Sequence, residues 1–181
     1  MNTINISKKC LALGGIPAVG KSTIVEQFFI NNNYWVDFEY RRLKGHYNKQ
    51  LNLLILGVYG TAKFAGTDKL SMSVQPDFES YVRANHSKAN ILFEGDRLFS
   101  LNNINFLEKY YQLHIGIITS THTEDRHITR KDNQSEKFIK GRITKINNIK
   151  AAYQSYQTYE NNTDNSVDTI YQSLYKIIKY I

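Results

Sequence analysis

Short unbroken apolar runs alternate along this chain with stretches of helical period. Cys10-Leu11-Ala12-Leu13 is a run closed by Gly14-Gly15, which predicts a buried strand. Residues 21–30 follow with Ile24, Val25, Phe28 and Phe29 on one side, a helix that Asn31-Asn32-Asn33 ends. Tyr34 to Phe38 reads as a second strand. Residues 51–59 are apolar, but Gly57 and Gly60 leave strand and helix both open, and a Gly-rich stretch runs from 57 to 67. Pro76 suits a helix start, and 76–87 carries Phe78, Tyr81 and Val82 at helical spacing. Asn90 to Phe93 is a compact strand ending at Glu94. Residues 103–112 predict a helix striped by Ile104, Leu107 and Tyr111, and Leu113 to Ile118 a further strand. From Ser135 the apolar positions 138, 139, 143, 146, 149, 153 and 156 predict one long amphipathic helix with Gly141 as its kink point, and a last helix covers 166–180. Strands alternating with helices predict an α/β domain with a mainly parallel sheet flanked by helices.

Length fits this plan. The chain has 181 residues, enough for one domain carrying a lid, and enough to bury a core without staples. Cys10 is the single cysteine, which excludes an internal disulfide framework and a cysteine-built metal site. No run of eighteen apolar residues is present to span a membrane, and residues 1–9 are polar without a signal-peptide core, so the expected location is the cytoplasm. The oligomeric state is not legible. Abundant Asn, Ile, Lys and Tyr, with proline only at 17 and 76, report codon supply in an AT-rich genome.

Charge sharpens the picture. The chain has 23 Lys and Arg against 16 Asp and Glu, a net charge of +7. Arg126, Arg130, Lys131, Lys137, Lys140, Arg142, Lys145 and Lys150 face only Asp132 and Glu136 in their segment, so residues 126–150 carry almost the whole excess. A local cationic segment predicts an anionic partner.

The anion is identified by Gly15-Ile16-Pro17-Ala18-Val19-Gly20-Lys21-Ser22-Thr23, which matches G-x-x-x-x-G-K-[ST] between a strand and a helix. Glycines let backbone amides surround phosphate oxygens, and the helix N-terminus points its partial positive charge at the same anion. Lys21 reaches the β- and γ-phosphates, and the Ser22 hydroxyl ligates Mg²⁺. ATP and Mg²⁺ are therefore the expected cofactors. A GTPase would need a guanine-reading [NT]-K-x-D segment, and Thr144-Lys145-Ile146-Asn147 lacks the aspartate. A small P-loop kinase fits the length and layout.

Such a kinase needs acids at the acceptor hydroxyl and the metal, and a basic lid that excludes water. Glu94 and Asp96 lie just past a buried strand, where ligands bind in open parallel sheets, and share one face if the strand continues through them. Arg97 follows as a phosphate contact. Asp68 in the Gly-rich stretch is a candidate general base, with Asp37 and Glu39 as rivals. Asp96 is set with Ser22 at the metal, although the residue pattern leaves the base and metal roles open among Asp68, Glu94 and Asp96. The lid is expected over about 122–150. Arg126 and Arg130, four apart, would contact the nucleotide and the transferred phosphoryl group from one helical face. Asn161-Asn162-Thr163 is placed by analogy at the nucleotide base, and Tyr34, Trp35, Tyr47, Tyr59 and Phe64 are candidates to stack on an acceptor base. The histidines form no convincing metal pattern.

The series GGIPAVGKST, FAGTDKLSMSVQPD, ILFEGDRLF and SEKFIKGRITKINNI, spanning about residues 10–150, resembles phage-encoded P-loop kinases, and in particular the 5-hydroxymethyluracil DNA kinases. The resemblance implies a P-loop kinase fold with a basic helical lid. It implies transfer of the γ-phosphate of ATP to the hydroxymethyl group of the base within phage DNA, in the host cytoplasm. It also implies that Lys21 and Ser22 bind triphosphate and Mg²⁺, that Asp68, Glu94 and Asp96 are the acids at the reacting hydroxyl, and that Arg126 and Arg130 belong to the lid. The alternatives are a kinase for a free nucleoside or nucleotide, and a P-loop ATPase or switch without an acceptor.

Overall fold

The computed structural model describes residues 7–60, 65–124, 135–163 and 165–180. Among the described residues, five helices and seven strands follow in the order β1 (Lys9–Gly14), α1 (Lys21–Asn31), β2 (Trp35–Tyr40), β3 (Leu43–Asn48), β4 (Leu53–Leu56), α2 (Gln75–Asn85), β5 (Asn90–Glu94), α3 (Leu101–Leu107), β6 (Gln112–Thr119), α4 (Glu136–Ala152), β7 (Gln157–Glu160) and α5 (Ser166–Tyr180). A single 3₁₀ turn covers Thr67–Lys69.

The strands form one sheet in the order β2-β3-β4-β5-β1-β6-β7. From β4 to β7 every pairing is parallel, and β2 and β3 add an antiparallel edge. The protein is thus α/β with a mostly parallel mixed sheet flanked by helices. The central strands β1, β4 and β5 are buried at every position, as continuous apolar runs require when both faces are covered. Period-two alternation then divides the core. Leu11, Leu13, Leu53, Ile55 and Leu92 point to the face covered by α1 and α5, with Phe28 against Tyr171 at 4.9 Å. Cys10, Ala12, Leu54, Leu56, Ile91 and Phe93 point to the face covered by α2, α3 and the C-terminal half of α4. Each large side chain so buried contributes about 1.5–3 kcal/mol. Lys9 fastens the last helix, donating from Nζ to the Ile177 carbonyl at 2.6 Å.

The layering creates a crevice. The connection after β1 runs to α1 on one face, whereas the connections after its neighbours β5 and β6 run to α3 and α4 on the other. Loops leaving adjacent strands in opposite directions open a cleft beyond the carboxyl ends of those strands.

Several sequence expectations need correction. The second strand begins at Trp35 and extends to Tyr40, and it belongs to an edge hairpin with β3, an element the pattern did not show. The two-residue turn joining them, Arg41-Arg42, holds Arg41 at φ +56° and lacks the Gly or Asn that ordinarily marks such a turn. Residues 51–59 yield a strand only at Leu53–Leu56. The helix expected at 103–112 starts earlier, at Leu101, because Ser100 caps it by accepting from the Asn103 amide, and its helical span ends at Leu107. The long helix ends at Ala152, and Gln157–Glu160 is a strand whose one buried side chain, Tyr159, gives no readable period. Of the positions expected to be apolar stripe on α4, Ile146 and Ile149 are buried, whereas Phe138 and Ile143 are 40% and 43% exposed.

Phe78 is fully buried between Phe93 and Phe106, in edge contacts at 6.3 and 6.4 Å. Phe78→Ala should cost about 3–5 kcal/mol. In a chain of this size that lowers the melting temperature by roughly 10 °C, measurable by thermal denaturation.

Candidate functional site

The loop between β1 and α1 is shaped by left-handed backbone at three positions: Gly15 (φ +149°), Ala18 (φ +64°) and Gly20 (φ +90°). Such alternation turns successive amides toward one side and makes an anion-binding concavity. Gly15 is needed for a second reason, since a Cβ there would lie 2.5 Å from the Ile118 carbonyl oxygen of β6. Lys21 arches over the loop and donates from Nζ to the Gly15 and Ile16 carbonyls at 2.8 and 3.0 Å. Asn161, just past β7, is 2% exposed and braces the loop from behind by donating from Nδ2 to the Val19 carbonyl at 2.9 Å. Its own amide donates to the Thr119 carbonyl at 2.8 Å. Asn161 therefore supports the loop backbone. Asn162 ties the start of the 121–122 segment, its Oδ1 accepting from the Thr121 amide at 2.9 Å.

Across the crevice stands Glu94, the last residue of β5 and 2% exposed. Ser22 Oγ donates to Glu94 Oε1 at 2.9 Å. Gly66 packs against the carboxylate so closely that a Cβ would sit 2.0 Å from Oε1, and Thr67 Oγ1 donates to the Glu94 carbonyl at 2.8 Å. Burial pushes the Glu94 carboxyl up to about 7. Lys21 and the Ser22 hydrogen bond oppose that shift, while Asp68 and Glu26 reinforce it. Ser22 Oγ and the Glu94 carboxylate are hard oxygen donors beside the Gly15–Thr23 loop, a set that suits Mg²⁺, which takes one or two protein ligands and completes its shell with water and phosphate oxygens. Among the described residues no group of three His, Cys, Asp or Glu side chains is placed to hold a metal unaided.

Gly95 has φ +101°, so the chain turns sharply after Glu94. This overturns the expectation that Glu94 and Asp96 share a strand face. Glu94 faces Ser22, whereas Asp96 turns to helix α4, pairing with Arg142 and accepting from Lys145 Nζ at 3.4 Å, while the Asp96 carbonyl accepts from the same amine at 2.8 Å. Asp96 thus ties α4 to the end of β5, and Glu94 occupies the place beside Ser22. Asp68 is exposed in the 3₁₀ turn, with its Oδ1 accepting from the Arg97 amide at 3.1 Å. A Cβ on Gly95 would lie 3.3 Å from the Asp68 carboxylate carbon, so Gly95 lets Asp68 close on the strand end. The rivals Asp37 and Glu39 lie on edge strand β2, three strands from β5, about 14 Å at ~4.8 Å per strand. Asp37 is 97% exposed and pairs with His46 at 3.1 Å.

Tyr59 was legible only as a stacking candidate. It is 8% exposed, and its ring contacts Phe29 at 5.2 Å beside Trp35 and His46. Its hydroxyl is buried with no hydrogen-bond partner among the described residues. Burial, then the nearby Glu94, Glu26 and Asp68 carboxylates, hold it protonated, well above its ordinary range. Tyr34 is 74% exposed. Arg126, Arg130 and Phe64 lie outside the described residues. No helix is long and apolar enough to cross a membrane among the described residues. A cavity of about 260 Å³ between β7 and α5 is lined by hydroxyls such as Thr158, Ser166 and Thr169, and shares no residue with the phosphate loop.

The raised Glu94 carboxyl sets a pH dependence. Between its unfolded value near 4.5 and its folded value near 7, the unfolded chain has released a proton that the folded protein retains. Stability from this group is therefore full below about 4.5 and is lost as pH rises through 7. Glu94→Gln should flatten that decline in melting curves of the metal-free protein recorded between pH 5 and 8.

Comparison with known proteins matches no family model and finds no significantly similar curated protein.

Proposed function

We propose that this protein is an ATP-dependent P-loop kinase that transfers the γ-phosphate to a hydroxyl acceptor, the hydroxymethyl group of 5-hydroxymethyluracil in phage DNA. The observation that carries the reading is the Ser22–Glu94 contact at the mouth of the Gly15–Thr23 loop, with Asp68 beside it. Nucleoside triphosphate chemistry needs a hydroxyl and a carboxylate where the metal bridges the terminal phosphates, and an acid where the acceptor approaches.

Residues of the chain divide the work. The loop amides and Lys21 cradle the triphosphate. Ser22 and Glu94 would hold Mg²⁺, which when bound neutralises charge on the phosphates. Asp68 is exposed on the acceptor side and accepts the hydroxyl proton as the oxygen attacks phosphorus. The tie from Asp96 to Arg142 and Lys145 positions α4, and the basic segment before it would close over the phosphates and exclude water. Arg126 and Arg130 would meet the transferred group from that segment. A hydroxymethyl base inside a duplex is out of reach of such a crevice, so the acceptor nucleotide must be flipped out or single-stranded.

Lys21→Ala should abolish transfer and weaken ATP binding. Asp68→Asn should cut turnover by two orders of magnitude or more, while leaving ATP affinity within a few-fold. The assay is γ-labelled ATP with duplex DNA containing 5-hydroxymethyluracil. Label in the polymer is the expected result. Label only in a free hydroxymethyl nucleoside or nucleotide identifies a small-molecule kinase, and release of labelled phosphate alone identifies an ATPase. Near-normal turnover in Lys21→Ala refutes the loop assignment.

A further inference from the structure

We infer that the β2–β3 turn and the loop around Lys69 form a cationic track for the nucleotides flanking the acceptor, so that the acceptor site is built for a polynucleotide. The inference rests on the kinase reading above and adds a surface to it.

Topology supplies the first observation. β3 runs antiparallel to β4, with Gly45 opposite Leu56 and the Gly57 amide donating to the Lys44 carbonyl at 2.9 Å. The Arg41-Arg42 turn therefore lies on the same carboxyl rim of the sheet as the phosphate loop, Glu94 and Asp68. In sequence these cations are remote from Arg142 and Lys145 of α4, but in the fold they lie on the same edge.

The rim is continuous. Arg42 Nε donates to Asp77 Oδ2 at 2.5 Å and its Nη1 to Ser73 Oγ at 2.7 Å, fixing the turn to the start of α2. The Arg97 guanidinium reaches back to Met72 in the same loop, and the Arg97 amide is held by Asp68. Asp96 then joins α4.

Along this rim the cations differ in what holds them. Asp77, only 3% exposed, takes up Arg42, and Asp96 takes up Arg142 and Lys145. Arg41 is 64% exposed, 3.8 Å from the Asp77 carboxylate that Arg42 already occupies, with its guanidinium 5.3 Å from the Tyr40 ring. Lys44 is 55% exposed and 3.9 Å from an exposed Glu39, and Lys69 is exposed. Among the described residues the acids on this stretch are Glu39, Asp68 and the Asp77 that Arg42 occupies. Arg41 moreover occupies left-handed backbone, φ +56°, where Gly or Asn is favoured, so the tip of the turn carries a long cation at a conformational cost.

Dimensions select the ligand. From β5 to β2 is three strand spacings, about 14 Å at ~4.8 Å each, longer than one step of a nucleic-acid strand, which rises ~3.4 Å along a duplex axis. A free nucleotide held by Asp68 ends before the turn, whereas a strand continues onto it.

The test uses the triple variant Arg41→Asn, Lys44→Ser, Lys69→Ser, in which Asn suits the left-handed position. The probe is a fluorescein-labelled 20-nucleotide single strand carrying one 5-hydroxymethyluracil, titrated with the full chain by anisotropy between 50 and 200 mM salt. The wild type should bind with a steep salt dependence. The variant should bind at least tenfold more weakly at 50 mM salt, with a log–log salt slope shallower by about 2, at ~0.7 per lost contact. Its ATP affinity and melting temperature should stay unchanged. Wild-type affinity and slope in the variant, or no binding by the wild type at 50 mM salt, overturn the track. The kinase reading fails separately: strand binding lost in the variant while the wild type transfers no phosphoryl group leaves the track standing without the reaction. Transfer to the strand with unaltered KM in the variant leaves the reaction standing without the track.

Discussion

A buried carboxylate facing a hydroxyl across a crevice organises this protein. Glu94 ends the strand next to β1, Ser22 opens the helix that follows β1, and the 2.9 Å bond between them joins the two sides of the sheet at the point where connections diverge. Desolvation makes an ionised carboxylate costly there, so its surroundings are arranged to support either a proton or a cation. Gly66 vacates the space beside it, Thr67 grips its carbonyl, and Lys21 draws its carboxyl downward against the effect of burial.

The phosphate loop depends on the same constraint from the other direction. Its left-handed turns at Gly15, Ala18 and Gly20 follow the end of β1, pass close to the Ile118 carbonyl on β6 and are braced by Asn161 after β7. The loop is therefore positioned by the sheet and not by its own backbone preferences, which at Ala18 run the other way. For the proposed reaction, a rigid loop and an acid across from it are requirements that the residues of the sheet can supply by themselves. Asp96 ties α4 to the end of β5 through Arg142 and Lys145.

Much of this was legible in the chain. The glycines of the Gly15–Thr23 loop mark its sharp turns, and unbroken apolar runs at 10–13 and 90–93 announce strands buried on both faces. The roles of the acids were not legible, because Glu94 and Asp96 are two residues apart and only the turn at Gly95 sends one toward Ser22 and the other toward Arg142. The β2–β3 hairpin escaped because its turn carries Arg41 where the usual marker is Gly or Asn, and because an edge strand needs little apolar pattern. β7 escaped for the second reason, having one buried side chain. Charge clustering was visible along the sequence at 126–150, yet the cations of the β2–β3 turn join the same rim only through the strand order.

The central claim is that Ser22 and Glu94 hold the metal while Asp68 faces the γ-phosphate. A crystal structure with Mg²⁺ and a non-hydrolysable ATP analogue tests it most directly. The account predicts the triphosphate inside the Gly15–Thr23 loop, Mg²⁺ within about 2.1 Å of Ser22 Oγ, Glu94 bound to the metal or to one of its waters, and Asp68 opposite the γ-phosphate. Triphosphate bound away from the loop, or Asp96 released from Arg142 and Lys145 to stand opposite the γ-phosphate in place of Asp68, would contradict it.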